Sequence, residues 1–453
     1  MARPSVDTVM REARIVSSTG VREASIAIAD GTIVEIGPDE TMPAAREEIV
    51  LAGATVIPGA IDVHVHFRDP GFPHKEDWTS GTEAAAAGGI TTVFEMPNTD
   101  PATASVAALT DKIARASAKA VVDFGIYGNV ADGNHDALEP MIEAGAAAFK
   151  IYMGSDNPLV PAPSDHTILA ALDIFARHGM RTTVHAENAA ILVGREARLK
   201  AAGRTDAAAH LEQHADLAEM EAIQRIALYS RETGAPIHIA HLSSARSIPF
   251  IEAAKREGTD LSCETCPHYL TLSTEDGARL GANFLRVKPP VRGPEHKAPL
   301  RRALFDGTID VLSTDHAPHR HTEKNRPVIW DCAPGFPGVE TSMRLMLTAV
   351  ATGELSLERY VAMAAEAPAR LFRLAPRKGH IAVGADADIV VLDLDRRERI
   401  SAARLHSKGN ATPFEGMETI GLPVLTMVRG RTVMRAGAIV APPGTGQRVT
   451  MAV

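Results

Sequence analysis

The chain has 453 residues, of which 45% are hydrophobic and 23% charged, with a formal net charge of -9. That is enough for one large domain and a smaller one, and the acidic balance argues against nucleic acid as a partner. No apolar run approaches the roughly 20 residues of a membrane span, and three cysteines are too few for a disulfide framework. The opening residues carry no basic-then-apolar signal pattern, so the expected location is a reducing cytoplasm.

Residues 1–58 open with short alternating segments, and Ser25–Gly37 reads as two strands joined by a turn at Asp30-Gly31. Eight apolar runs follow: Ala60–His66, Thr91–Glu95, Val121–Tyr127, Ala147–Met153, Thr182–His185, Pro236–His241, Leu261–Cys266 and Asp310–Thr314. Alanine-rich helical stretches such as Thr79–Ala87 and Ala218–Arg231 separate them. Eight strand–helix units predict an α/β fold, a (β/α)8 TIM barrel spanning 59–378. A doubly wound sheet competes, but no Gly-rich phosphate loop follows the first run. Strand patterning returns in Ala387–Asp393 and Val424–Gly430. The two ends, 1–58 and 379–453, are expected to form one composite small β-sandwich domain.

The chemistry-bearing residues fall where the barrel reading puts strand ends. His64 and His66 are two apart, so they share one face of a strand, with Arg68 two further on. Lys150 lies in the fourth run, His185 and His241 end the fifth and sixth, and Asp315 follows the eighth. Barrel active sites sit at that end of the strands. Imidazole and carboxylate oxygen are common zinc ligands, and the set suits two ions. Lys150 fits if its amine is buried and neutral. Such an amine captures CO2 as a carbamate, a carboxylate on a long stem that bridges two cations.

Other residues read as structural. His238 should face away from His241, His316 should point away from Asp315, and His74 belongs to a surface loop. Cys263-Glu-Thr-Cys266 has no second pair and falls in a strand, so its cysteines read as buried packing. Cys332 carries no sign of a nucleophile role. Gly88-Gly89 marks tight helix-to-strand packing, and Asp395–Arg399 a solvated charge run.

Taken together, Asp62–Gly71, Phe149-Lys150, His185, His241, Thr314–His319 and Thr412–Gly416 resemble the cyclic amidohydrolases of the amidohydrolase superfamily, dihydroorotases first among them. The resemblance covers essentially the whole chain. It implies two Zn2+ ions bridged by carboxylated Lys150, with His64, His66 and Asp315 on the more buried ion and His185 and His241 on the other. It implies attack by a bridging hydroxide, with Asp315 as general base and then acid. Arg68, Asn98 and His319 would bind a substrate carboxylate, and Pro334 and Gly335 would touch substrate through their backbone. The implied reaction opens dihydroorotate to N-carbamoyl-aspartate, or closes it. The implied partner is a small anionic cyclic amide, and the implied assembly a homo-oligomer, dimer or tetramer. Phe149–Met153 and Lys288 look more like the hydantoinase, dihydropyrimidinase and allantoinase branch, which is the alternative. An inactive scaffold is the third reading, and retention of every metal ligand weighs against it.

Overall fold

Eight short strands, buried along their whole length, occupy the centre of the molecule: β1 (Ala60–Val65), β2 (Ile90–Glu95), β3 (Asp123–Asn129), β4 (Ala148–Tyr152), β5 (Thr182–His185), β6 (Ile237–Ile239), β7 (Leu261–Thr265) and β8 (Val311–Leu312). The computed structural model describes residues 6–155 and 157–451. The strands pair in parallel in sequential order. The ring closes where Val65 bridges His316 and the His66 amide donates to the His316 carbonyl at 2.7 Å. Parallel strands covered on both faces are mostly apolar, which is why they read as near-continuous runs rather than alternations.

Side chains fix the surrounding helices at their ends. Asp77 and Ser80 form a capping box for Trp78–Ala87, and Ser164 caps Asp165–His178, which Gly179 ends at φ 56°. Gly88 packs as tightly as expected: a Cβ there would lie 2.1 Å from the Val339 carbonyl oxygen. No helix among the described residues is long and apolar enough to cross a membrane.

Both chain ends share one small β structure, a nine-stranded sheet in which Ile389–Arg399 from the C-terminal part pairs antiparallel with Thr55–Pro58 from the N-terminal part. Bulges at Met10/Ala13 and Asp393/Arg397 disturb its long strands. Met10, Ile26, Ile28, Val56, Ile389 and Met427 form a core of its own. The Asp30-Gly31 turn has positive φ at both residues, 49° and 78°, as a tight hairpin requires. The last residues return to the barrel, where Phe124 donates to Gln447 O and Val449 to Phe124 O.

A buried charge cluster joins the sheet to the base of the barrel. Lys378 Nζ lies 2.7 Å from Asp123 at the start of β3, 2.7 Å from Asp388 and 3.1 Å from Asp386. The three aspartates have a metal-like spacing, but this ammonium lies among them and Arg429 adds a second cation at Asp123. Lys378→Met would strand buried carboxylates without their ammonium. The expected loss is about 3–5 kcal/mol of stability, read as a lower urea midpoint and melting temperature.

Candidate active site

His64, His66, Lys150, His185, His241 and Asp315 line one cavity of about 360 Å³ at the end of the barrel where the strands finish. The same cavity is lined by Arg68, Asn98, His319, Pro334 and Gly335. Lys150 lies mid-strand on β4, and Tyr152, two residues on, also lines the cavity. Phe149 stacks outward on Phe175, with ring centroids 4.6 Å apart. His66, His241 and Asp315 sit just past the ends of their strands. Arg68, His241 and Asp315 hold positive φ, 62°, 37° and 47°. Left-handed backbone at three non-glycine residues is strain concentrated at one site.

Hydrogen bonds assign each imidazole a direction. His64 Nδ1 donates to Glu264 at 2.5 Å and His66 Nδ1 to Asn98 at 2.7 Å, leaving each Nε2 facing Asp315 Oδ1 at 3.4 and 3.0 Å. One donor atom of each of His64, His66 and Asp315 lies within 4.8 Å of the others, close enough to share an ion. His185 Nε2 donates to Glu187 at 2.8 Å, which turns its Nδ1 toward His241 Nε2 at 2.9 Å. Burial favours the neutral form of His64, His66 and His241, the form a ligand must have: it lowers His64 to about 4 and holds His66 and His241 well below the usual range.

Within the His, Lys and Asp cluster, Lys150 Nζ and His241 Nδ1 are buried without a hydrogen-bond partner. Lys150 is fully buried, and burial lowers its pKa to about 8. An unpartnered amine among converging imidazoles and a carboxylate fits a metal-bridging group better than it fits packing. The donor set therefore fits a bound metal centre.

The outer wall is cationic. Among the described lining residues, Arg68, Lys75, Lys150 and Lys288 are basic, and only Asp315 is acidic. Arg68 is half-buried, forms no ion pair among the described residues, and leaves its buried Nε without a partner. His319 Nε2 donates to the Pro334 carbonyl at 3.0 Å, and the Gly335 amide donates to Arg286 O at 3.1 Å. Both backbone groups of that turn are thus already engaged.

The residues read as structural hold their places. His238 accepts from Ser262 at 2.8 Å, and His316 accepts from the Gly338 amide at 3.0 Å. His74 is exposed, and Cys263 and Cys266 are buried free thiols.

Sequence reasoning passed over the carboxylates behind the ligands. Glu264 takes the proton side of His64, accepts from His238 Nε2 at 3.2 Å, and receives the His241 amide at 3.2 Å. Burial opposes its ionisation, but the two histidines outweigh that and hold it well below the carboxylate range. Its signal was a charged residue inside a fully buried strand. Glu187 repeats the two-residue spacing of His64 and His66, and braces both His185 and His214. Lys112 pairs with Glu95 and donates to Met96 O, Thr99 and Thr103, fixing the loop that carries Asn98. Nothing in its helical position announced that role.

A closed parallel barrel with histidines, an aspartate and a buried lysine at the C-terminal mouth defines a hydrolase barrel with a candidate metal centre. The profile of the amidohydrolase family matches residues 55–433. A dihydroorotase of Halobacterium salinarum is 42% identical over 87% of this chain and 89% of its own. An allantoinase of Solibacter usitatus is 36% identical over 97% and 96%. The solved L-hydantoinase of Arthrobacter aurescens superposes with a TM-score of 0.95 at 38% identity, covering 98% of this chain and all of that one. The chain belongs to the amidohydrolase family, within its cyclic amidohydrolase group.

Replacing Glu264 tests whether it orients a ligand. Glu264→Gln should weaken metal binding about 10- to 100-fold, measured by competition with a chromogenic chelator.

Proposed function

We propose that the protein hydrolyses, or in reverse closes, a cyclic amide carrying a carboxylate, with dihydroorotate and N-carbamoyl-aspartate as the pair. One observation carries this reading: Arg68 lines the cavity with its Nε buried and unpartnered, and no carboxylate among the described residues pairs with it. A buried charge without a partner is costly, and a planar carboxylate is the ligand a guanidinium fork fits. The 42% identical dihydroorotase supports the same choice.

Two Zn2+ ions would be held by His64, His66, His185, His241 and Asp315 and bridged by carboxylated Lys150. Zinc supplies Lewis acidity, polarising a carbonyl and acidifying water. The chain's own residues do the rest. Arg68, with Asn98 and His319 beside it, anchors the carboxylate and sets the ring's orientation. Asp315 takes the proton from the attacking water as its oxygen bonds to the amide carbon. It returns that proton to the ring nitrogen as the carbon–nitrogen bond breaks. Tyr152 has a buried hydroxyl without a partner, and burial keeps it protonated by raising its pKa well above the usual value. It lines the cavity and donates to the oxygen on which charge develops. The work is that of a cytoplasmic enzyme assembled as a homo-oligomer.

A second reading has a specific observation behind it. The chain is similar to an L-hydantoinase over 98% of its length, and Lys288 of its cavity stands in a stretch that resembles the hydantoinase branch. Dihydroorotate, dihydrouracil, hydantoin and allantoin offered side by side separate the two. The expected order puts dihydroorotate first, and preference for an uncharged ring would remove the role given to Arg68.

Lys150→Ala should lose bound zinc and activity together, read by elemental analysis and turnover. Retention of both would end the carbamate proposal. Only the neutral amine reacts with CO2, and its fraction grows as pH rises through about 8. Uptake of 13C-labelled CO2 by metal-free protein, followed by carbon NMR, should increase over that range.

A further inference from the structure

Lys75 is a cation of the outer wall with a carboxylate partner on the rim. Its ammonium pairs with Glu323 at 3.0 Å, joining the loop after β1 to the short helix His321–Lys324 beyond β8. Both side chains are partly exposed, 20% and 26%. On its other side Lys75 Nζ lies 3.4 Å from His319 Nδ1 and lines the cavity.

The protonation of His319 makes this position matter. Nε2 must carry the proton to donate to Pro334 O, so Nδ1 is the lone pair that accepts from Lys75. In that tautomer His319 has spent its N–H on the backbone and keeps none for a carboxylate. Protonation does not rescue it, since burial and the neighbouring Arg68 and Lys75 hold its pKa well below the usual value. Arg68 Nη2 lies 3.4 Å from the Nε2 side of the same ring. The neutral imidazole thus separates two cations that both face the cavity.

We propose that Lys75 is a second cation of the carboxylate subsite, exchanging Glu323 for the carboxylate of an entering ring, while His319 positions it. The anionic-ring reading above is its premise. A partly exposed ion pair is weak, so the exchange costs little. A charge-assisted hydrogen bond to a substrate carboxylate in the drier cavity is stronger. Glu323 then serves as a gate for charge: a neutral ring gives Lys75 no reason to leave it.

The test compares kcat/KM for dihydroorotate with that for dihydrouracil, the same ring without the carboxylate. Lys75→Met should lower this ratio about tenfold or more, mainly through KM for dihydroorotate. Lys75→Arg should restore most of it. Glu323→Gln removes the competing carboxylate and should lower KM for dihydroorotate about two- to threefold. If Arg68→Gln collapses the ratio and Lys75→Met leaves it intact, Lys75 is not in the subsite, although the anionic reading stands. A rise in KM for dihydroorotate in Glu323→Gln would overturn the exchange. If the unaltered protein prefers dihydrouracil, the anionic reading fails and Lys75 falls with it.

Discussion

A charge held in a dry interior must be matched, and the active end of this barrel is organised by where that rule is met and where it is not. Behind the ligands it is met with care. Glu264 and Glu187 are ionised carboxylates placed on the proton side of the imidazoles, and each also holds a second histidine. In front of the ligands it is left open. Lys150 Nζ and Arg68 Nε lack partners and their side chains line the cavity, so the site is completed by what enters it.

The base of the barrel shows the opposite arrangement. Lys378 and Arg429 sit among three aspartates, and nothing there remains to be satisfied. The same residue types give a clamp at one end and a site at the other. What separates them is the balance of charge inside each cluster and the cavity beside it, not composition.

Much of this was legible in the sequence, for a geometric reason. Side chains two apart on a strand share a face, so His64 and His66 announced their direction, and barrel topology then gathered His185, His241, Lys150 and Asp315. Barrel strands, buried on both faces, also stand out as apolar runs. The bracing residues were harder to see. Glu264 lay inside a Cys-X-X-Cys pattern that drew attention to its cysteines, and Lys112 acts across a helix-to-loop contact that no local spacing encodes.

The pairing of Thr55–Pro58 with Ile389–Arg399 has a consequence for the timing of synthesis. The N-terminal strands can pair among themselves as soon as they leave the ribosome. The edge at Thr55–Pro58 cannot be covered until the entire barrel has been translated. For that interval the nascent chain carries an open, apolar strand edge, the kind of surface on which chains stick to one another. Whatever shields that edge during translation, the growing barrel or a chaperone, governs how much of the protein reaches its finished form.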